Sequence, residues 1–277
     1  MDISSDCVPP SKLSPSGPHN DANAWPYPQW IAHRCGGALA PENTLAGFDA
    51  CVQYGYRMVE FDAKLSADDC VFLLHDDMLE RTTNGHGAAA QQYWQALEQL
   101  DAGVWYAPRF AGERLPLLAQ AASRCQQLGV LANIEIKPCP GRDAITGRLV
   151  AMAAQAQWRT QTAPLLSSFS IEALAAARDA VPALPRGMLF ESLPTDWRYI
   201  VRDLDCVSLH LDHKQLDASR VAEIKSAGLR VLAYTVNQPD RADELVRWGV
   251  DMICTDRIDL LGHARSPVLP DQIESSQ

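Results

Sequence analysis

No stretch of this chain is apolar for long enough to span a bilayer, and none has the pattern of an export signal. Basic runs are missing as well. The net charge is −10 at pH 7, which argues against nucleic acid or an anionic membrane as a partner for the surface as a whole. The eight cysteines, at 7, 35, 51, 70, 125, 139, 206 and 254, form no C-x-x-C pair. With no export signal, free thiols in a cytoplasmic setting are expected. Neither a G-x-G-x-x-G loop nor a P-loop is present, which removes the main support for an open, doubly wound nucleotide-binding sheet. No internal repeat is visible beyond an alternation of strand-like and helix-like segments.

That alternation organises the chain. With 277 residues, 47% of them hydrophobic, there is material for one large α/β core. Residues 1–25, rich in Ser, Pro, Asp and Asn, read as a disordered tail, and residues 266–277 as a second tail. Between them, strand-like runs centre near Ile31, Phe61, Ile134, Leu166, Met188, Val207, Val231 and Met252. Helical segments follow with recognisable ends. Thr44–Tyr54, with Leu45, Phe48 and Val52 inward, stops at Gly55; Leu117–Leu128 stops at Gly129. Ser170 and Asp217 suit N-caps, and Pro239 suits a first helical turn. Eight β–α alternations predict a (β/α)8 TIM barrel spanning 26–265. The long gap between Phe61 and Ile134 predicts a small insertion, about 76–115, between the second and third strands and over the barrel mouth.

The stretch from Glu60 to His75 is the densest in chemistry. Val59-Glu60-Phe61-Asp62-Ala63 alternates, so Glu60 and Asp62 share a face. Ala67-Asp68-Asp69 is turn chemistry. A hairpin folded at Ala67–Asp68 sets residue 60 opposite residue 75. Strand one ends at His33-Arg34, and strand three, Ile134-Glu135-Ile136-Lys137, sets Glu135 and Lys137 on one face. Any one of these residues is more often a salt-bridge partner or a helix cap than a functional group. Seven at the ends of three consecutive strands are another matter, because five inward charges need a ligand or one another. Glu60, Asp62 and Glu135 can hold one divalent cation through oxygen. Arg34 and Lys137 can neutralise a phosphate. His33 and His75 suit a general acid and base, in an order the sequence leaves open. The combination fits phosphodiester hydrolysis.

The stretch I-A-H-R-C-G-G-A-L-A-P-E-N-T-L (31–45) resembles the signature of the glycerophosphodiester phosphodiesterase family. So do E-F-D (60–62), L-L-H-D (73–76), E-R-T-T-N-G (80–85), N-I-E-I-K-P (133–138), Y-T-V-N (234–237) and C-T-D (254–256). The similarity runs over roughly 28–262 and is greatest toward the short cytosolic bacterial members associated with glycerol-phosphate uptake. The resemblance implies a (β/α)8 barrel, one divalent cation (Mg²⁺ or Ca²⁺), and hydrolysis of glycerophosphodiesters to sn-glycerol 3-phosphate and an alcohol. It implies metal ligation by Glu60, Asp62 and Glu135, acid–base roles for His33 and His75, and substrate contacts from Arg34, Lys137 and Tyr234. Glu42 and Asn43 match positions that brace the first loop. Tyr234 stands where many relatives carry Trp. The expected partner is a small-molecule glycerophosphodiester, with no nucleic acid and no membrane; a homodimer is compatible with the chain.

Two other readings use the same residues. One is a lyase that leaves a cyclic phosphate by attack of a substrate hydroxyl. The other is a barrel that binds polyol phosphates without catalysis, whose mark would be a lost histidine or carboxylate. Cys35 replaces the Gly usual after His-Arg. Because Gly36 and Gly37 can absorb a left-handed turn, Cys35 is expected at negative φ, its side chain directed into the barrel wall near strand eight.

Overall fold

The computed structural model describes residues 25–159 and 162–262. The expected tails, apart from Trp25, lie outside the described residues, as does Cys7. Nine strands make one sheet: β1 (Trp30–Ala32), β2 (Met58–Leu65), β3 (Val71–Leu73), β4 (Leu131–Ile136), β5 (Leu165–Ser168), β6 (Arg186–Phe190), β7 (Ser208–Asp212), β8 (Arg230–Tyr234) and β9 (Met252–Thr255). All but β3 run parallel, in the order β1-β9-β8-β7-β6-β5-β4-β2, and an Ala32–Val59 pairing between β1 and β2 closes the ring. This is the expected (β/α)8 barrel.

Outside it lie α1 (Leu45–Gln53), α3 (Leu118–Leu128), α4 (Asp143–Gln157), α5 (Ile171–Ala180), α6 (Trp197–Asp203), α7 (Ala218–Ser226) and α8 (Pro239–Arg247); the short α2 (Trp94–Leu97) follows β3. The caps are those the residues suggest. Ser170 Oγ accepts from Ala173 N–H and Asp217 Oδ1 from Arg220 N–H, while Gly129 ends α3 in the left-handed region at φ 64°. On α1 the inward face differs from expectation. Gly47, Phe48 and Cys51 are buried, whereas Val52 is exposed. The helix turns Gly47 inward because it abuts the first loop; a Cβ there would lie 2.7 Å from Cys35 Cβ. The seventh strand begins after its expected centre, with Val207 exposed and Ser208 and His210 buried instead.

The β2–β3 hairpin corrects the predicted register by one residue. Lys64 pairs with Phe72 and Ala63 with Leu73, so the pairing number is even and the turn centres on Asp68. The loop has three residues, 67–69, closed by Ser66 N–H to Cys70 O at 3.1 Å, and Asp69 takes the left-handed conformation at φ 63°. Such a three-residue turn shifts the centre by half a residue from the two-residue loop assumed. His75 consequently leaves the ladder two residues past its last pair rather than facing Glu60.

Between β3 and α3, short turns enclose a small core of their own: Phe72, Leu74, Leu79, Ala89, Leu97, Ala102 and Leu115. Leu117 pairs with Phe72, and Leu73 N–H donates to Pro116 O at 2.9 Å, so this segment lies along the free edge of β3.

Candidate active site at the barrel mouth

Strand alternation sorts the barrel interior into layers. On β2, Val59, Phe61 and Ala63 pack toward the helices. Met58 turns inward and joins Ile31, Leu165, Leu232 and Met252 in an apolar plug. Two and four residues further on, the same inward face carries Glu60 and Asp62. On β4, Ile134 and Ile136 face the helices, and the alternate positions are Asn133 and Glu135. The carboxylates are thereby gathered at the C-terminal ends of the strands, above an apolar floor.

The groups expected from three strands meet there. Oxygens of Glu60, Asp62 and Glu135 all lie within 4.8 Å of one another. Asn43 Nδ2 donates to Asp62 Oδ2 at 2.8 Å, and Asp62 N–H donates back to Asn43 Oδ1 at 3.0 Å. Lys137 Nζ donates to Glu135 Oε1 at 2.7 Å and stands 3.9 Å from Asp62. Arg34 N–H donates to Glu60 Oε2 at 2.9 Å, and its guanidinium donates to Glu42 at 2.9 Å. His33 Nδ1 bonds Asp256 Oδ1 at 2.6 Å, while Nε2 faces Glu60 at 3.9 Å. His75 Nδ1 bonds Asp76 at 2.7 Å. Each imidazole thus has one nitrogen held by a carboxylate and the other free. Tyr234 meets Phe169 edge to face at 5.9 Å, and Phe169 lies 5.4 Å from Lys137 Nζ. The Tyr234 hydroxyl is spent on Phe190 O at 2.8 Å, so its ring, not its oxygen, faces the mouth.

The electrostatics follow from this crowding. Burial, then the charge of Asp62, pushes the Glu60 carboxyl up to about 8, with His33 pulling against them. Burial and Asp62 likewise raise Glu135, against Lys137. Burial opposes ionisation of Asp62 too, but His75, Lys137, Arg34 and Asn43 together hold it below the usual carboxylate range. The trio is short of positive charge, and the buried Glu60 Oε1 has no hydrogen-bond partner. That donor set fits a hard divalent cation. The histidines diverge. Burial works against the charged form of His33, yet its bond to Asp256 and the charge of Glu60 raise it. Burial, aided by Arg34 and Lys137, lowers His75 despite Asp62 and Asp76.

Cys35 overturns its expectation. Its φ is +75°, and Arg34 before it is also left-handed at 47°. Its thiol is buried in the layer between barrel and helices, near Cys51 and Cys125. The cause is tertiary. In this conformation Arg34 N–H reaches the Glu60 carboxylate, and Cys35 N–H reaches the Glu60 carbonyl at 2.8 Å. Of the two following glycines only Gly37 has positive φ, and it is needed for proximity: a Cβ there would lie 2.3 Å from Asp256 O. A strained backbone at such a loop costs about 1–3 kcal/mol and persists only where neighbours over-determine it.

Sequence reasoning assigned no role to Asp256, Asn237, Asp76, Arg81 or Phe169. Asn237 holds Asp256 through Nδ2 at 2.9 Å. Arg81 bridges Asp76 and Glu42 with four hydrogen bonds. The signals were the tracts Y-T-V-N, C-T-D, L-L-H-D and E-R-T-T-N-G; Phe169 had none. A larger hollow, about 550 Å³, opens at the opposite end of the barrel around Trp25, Tyr27, Pro185 and Arg230. Arg230 is its one charged lining residue and already pairs with Asp251 at 3.0 Å, so this hollow lacks the chemistry of the barrel mouth.

Comparison with known proteins points to one family. Residues 33–260 match the sequence profile of the glycerophosphoryl diester phosphodiesterase family. YhdW of Bacillus subtilis, a candidate glycerophosphodiester phosphodiesterase, is 32% identical over 236 residues, 83% of this chain and 95% of its own. A glycerophosphodiester phosphodiesterase of Caldanaerobacter subterraneus is 30% identical over 231 residues, covering 82% of this chain and 93% of its own. Among solved structures, an Oleispira antarctica phosphodiesterase in complex with the product sn-glycerol-3-phosphate superposes with a TM-score of 0.82 at 35% identity, over 86% of this chain and 97% of that one.

Proposed function

As the chain belongs to the glycerophosphoryl diester phosphodiesterase family, we propose that its barrel mouth hydrolyses glycerophosphodiesters to sn-glycerol 3-phosphate and an alcohol by two-histidine acid–base catalysis. The observation that carries the mechanism is the pairing of three mutually close carboxylates with two imidazoles, each held at Nδ1 by its own carboxylate. The product bound in the related Oleispira structure supports the substrate class.

Glu60, Asp62 and Glu135 would hold one divalent cation, Mg²⁺ or Ca²⁺. When bound, it supplies charge that polarises the phosphoryl oxygens. Arg34 and Lys137, each 3.9 Å from Asp62, neutralise the phosphate, Arg34 as a planar fork and Lys137 as a point charge. His33, raised by Asp256, is the proton donor to the leaving alkoxide. His75, lowered and so neutral, takes the proton of the attacking nucleophile. The rings of Phe169 and Tyr234 form a wall for the glycerol carbons. The functional unit is the barrel of 26–265 with its insertion at about 76–115. No helix of the described residues is long and apolar enough to cross a membrane. The proposal extends to a cytoplasmic setting, and to one complete site per subunit should the chain form a homodimer.

Release of glycerol 3-phosphate from glycerophosphocholine, glycerophosphoethanolamine and glycerophosphoglycerol, with and without chelator, tests the reading. Turnover should vanish with chelator and return with Mg²⁺ or Ca²⁺. In oxygen-18 water, phosphorus NMR should show the label in the phosphate product from the first turnover. A cyclic phosphate formed first would favour the lyase, and no release under either cation would sink the proposal.

A further inference from the structure

We propose that His33, Glu60 and Cys254 form a second metal site, for a thiophilic divalent cation of the Zn²⁺ class, which overlaps the carboxylate trio and switches hydrolysis off. A nitrogen, an oxygen and a sulfur donor from these three residues lie within 4.8 Å of one another. Around one tetrahedral zinc, with bonds of about 2.0–2.3 Å, ligand atoms sit roughly 3.3–3.8 Å apart. Small side-chain shifts therefore complete the site.

Three further features point to a ligand. Asp256 occupies His33 Nδ1 at 2.6 Å, leaving Nε2 as the donor; a carboxylate behind a ligating histidine is the usual support of such a bond. The Glu60 side chain is 7% exposed, its Oε2 is taken by Arg34 N–H, and its Oε1 has no partner. All three residues line one narrow cavity of about 40 Å³, enough for an ion with a water as fourth ligand. The alternation that turns Met252 into the apolar plug turns Cys254 inward as well.

Donor chemistry separates the two metals. Mg²⁺ and Ca²⁺ select oxygen, and Asp62 and Glu135 provide it. Thiolate with imidazole selects zinc. On binding, the protons of the Cys254 thiol, of His33 Nε2 and of any protonated Glu60 carboxyl pass to solvent, and the sulfur–, nitrogen– and oxygen–metal bonds form in their place. Both sites require Glu60, so one excludes the other, and the second also occupies the His33 nitrogen that carries the proposed donated proton.

The test uses the purified full chain loaded with Mg²⁺ and titrated with Zn²⁺, each variant referenced to its own zinc-free rate. Cys254→Ala and Cys254→Ser should raise the half-inhibitory Zn²⁺ concentration by roughly tenfold or more, since even outer partners of a metal site are worth 10–100-fold in affinity. Ser keeps the volume of the thiol in case the void left by Ala unsettles β9. Metal-free protein titrated with Co²⁺ should show a thiolate-to-cobalt charge-transfer band in wild type that both variants lack. Equal zinc sensitivity in wild type and variants, no thiolate band in wild type, or a band that survives in the variants would each overturn the site. The band does not depend on turnover, so it stands or falls apart from the hydrolytic reading.

Discussion

Arg81→Gln should separate catalysis from stability. Arg81 comes from the segment after β3 and donates to Glu42 at 2.7 and 2.7 Å and to Asp76 at 2.5 and 3.0 Å. Asp76 holds His75 Nδ1, and Glu42 holds Arg34. A chain of contacts thus runs from one proposed proton-transfer group to one proposed phosphate-binding group, with Arg81 at its centre. The Arg81 side chain is 43% exposed, so solvent screens these ion pairs, and pairs of that kind contribute about 0–1 kcal/mol. A loss of about 1 kcal/mol lowers the melting temperature of a domain this size by roughly 2–4 °C. Catalysis is more sensitive. Without Arg81 neither Asp76 nor Glu42 is fixed, and a displacement of about 1 Å at a reacting group costs on the order of 10²-fold. The expected outcome is a kcat lower by roughly 30–100-fold, with KM raised as Arg34 loosens. Arg81→Lys should recover little, because a point charge cannot fork to two carboxylates at once. Steady-state kinetics on glycerophosphocholine at saturating cation, beside a thermal melt, decide it. A kcat within about twofold of wild type, or a loss of activity that tracks a large loss of melting temperature, would refute the reasoning.

Other predictions follow from the same site. His33→Ala should slow alkyl substrates by about 10²–10⁴-fold and lose most of that deficit on a p-nitrophenyl ester, whose leaving group needs no proton; His75→Ala should be impaired equally on both, and the reverse pattern would exchange the roles. In metal-free protein Glu60 is raised from 4.5 to about 8, so its favourable contribution to stability is complete below the unfolded value and is lost as pH rises toward 8. The melting temperature without metal should accordingly fall between pH 5 and 8. Because binding needs ionised Glu60, added Mg²⁺ or Ca²⁺ should raise it more at pH 8 than at pH 6; equal shifts would contradict the argument. Cys35→Ser should destabilise by about 1–3 kcal/mol, as a hydroxyl buried without a partner does, yet keep most activity. A several-hundredfold loss with an unchanged melt would force a thiol into the mechanism.

What the sequence reveals and what it hides divide by distance along the chain. The alternation around Phe61 sets Glu60 and Asp62 on one face because the side-chain period of a strand is local. The caps at Ser170 and Asp217 are legible for the same reason, since donor and acceptor stand three residues apart. Asp256 is another case: it reaches His33 across most of the chain, and nothing near residue 33 names it. The hairpin register fails locally, because a turn of Ala, Asp and Asp admits loops of two or three residues, and only Asp69 at positive φ decides between them. Cys35 fails for a tertiary reason. Its neighbours in sequence offered two glycines for the left-handed turn, but hydrogen bonds to Glu60 fix the conformation two residues earlier.

The return strand β3 has a consequence beyond the site it leads to. It pairs with β2 on one side only, and its residues Val71, Phe72 and Leu73, with Leu74 after them, are apolar. A strand of that composition with a bare edge recruits other chains. Here the edge is closed by the Leu117 pairing and by Pro116 O, and the strand is roofed by the small apolar cluster that follows it. Trimming the segment between β3 and α3 beyond Arg81, short of Pro116, would therefore strip the apolar roof from the strand while His75 and Asp76 stayed in the chain. The first loss would be solubility, and the insertion guards the enzyme against its own aggregation.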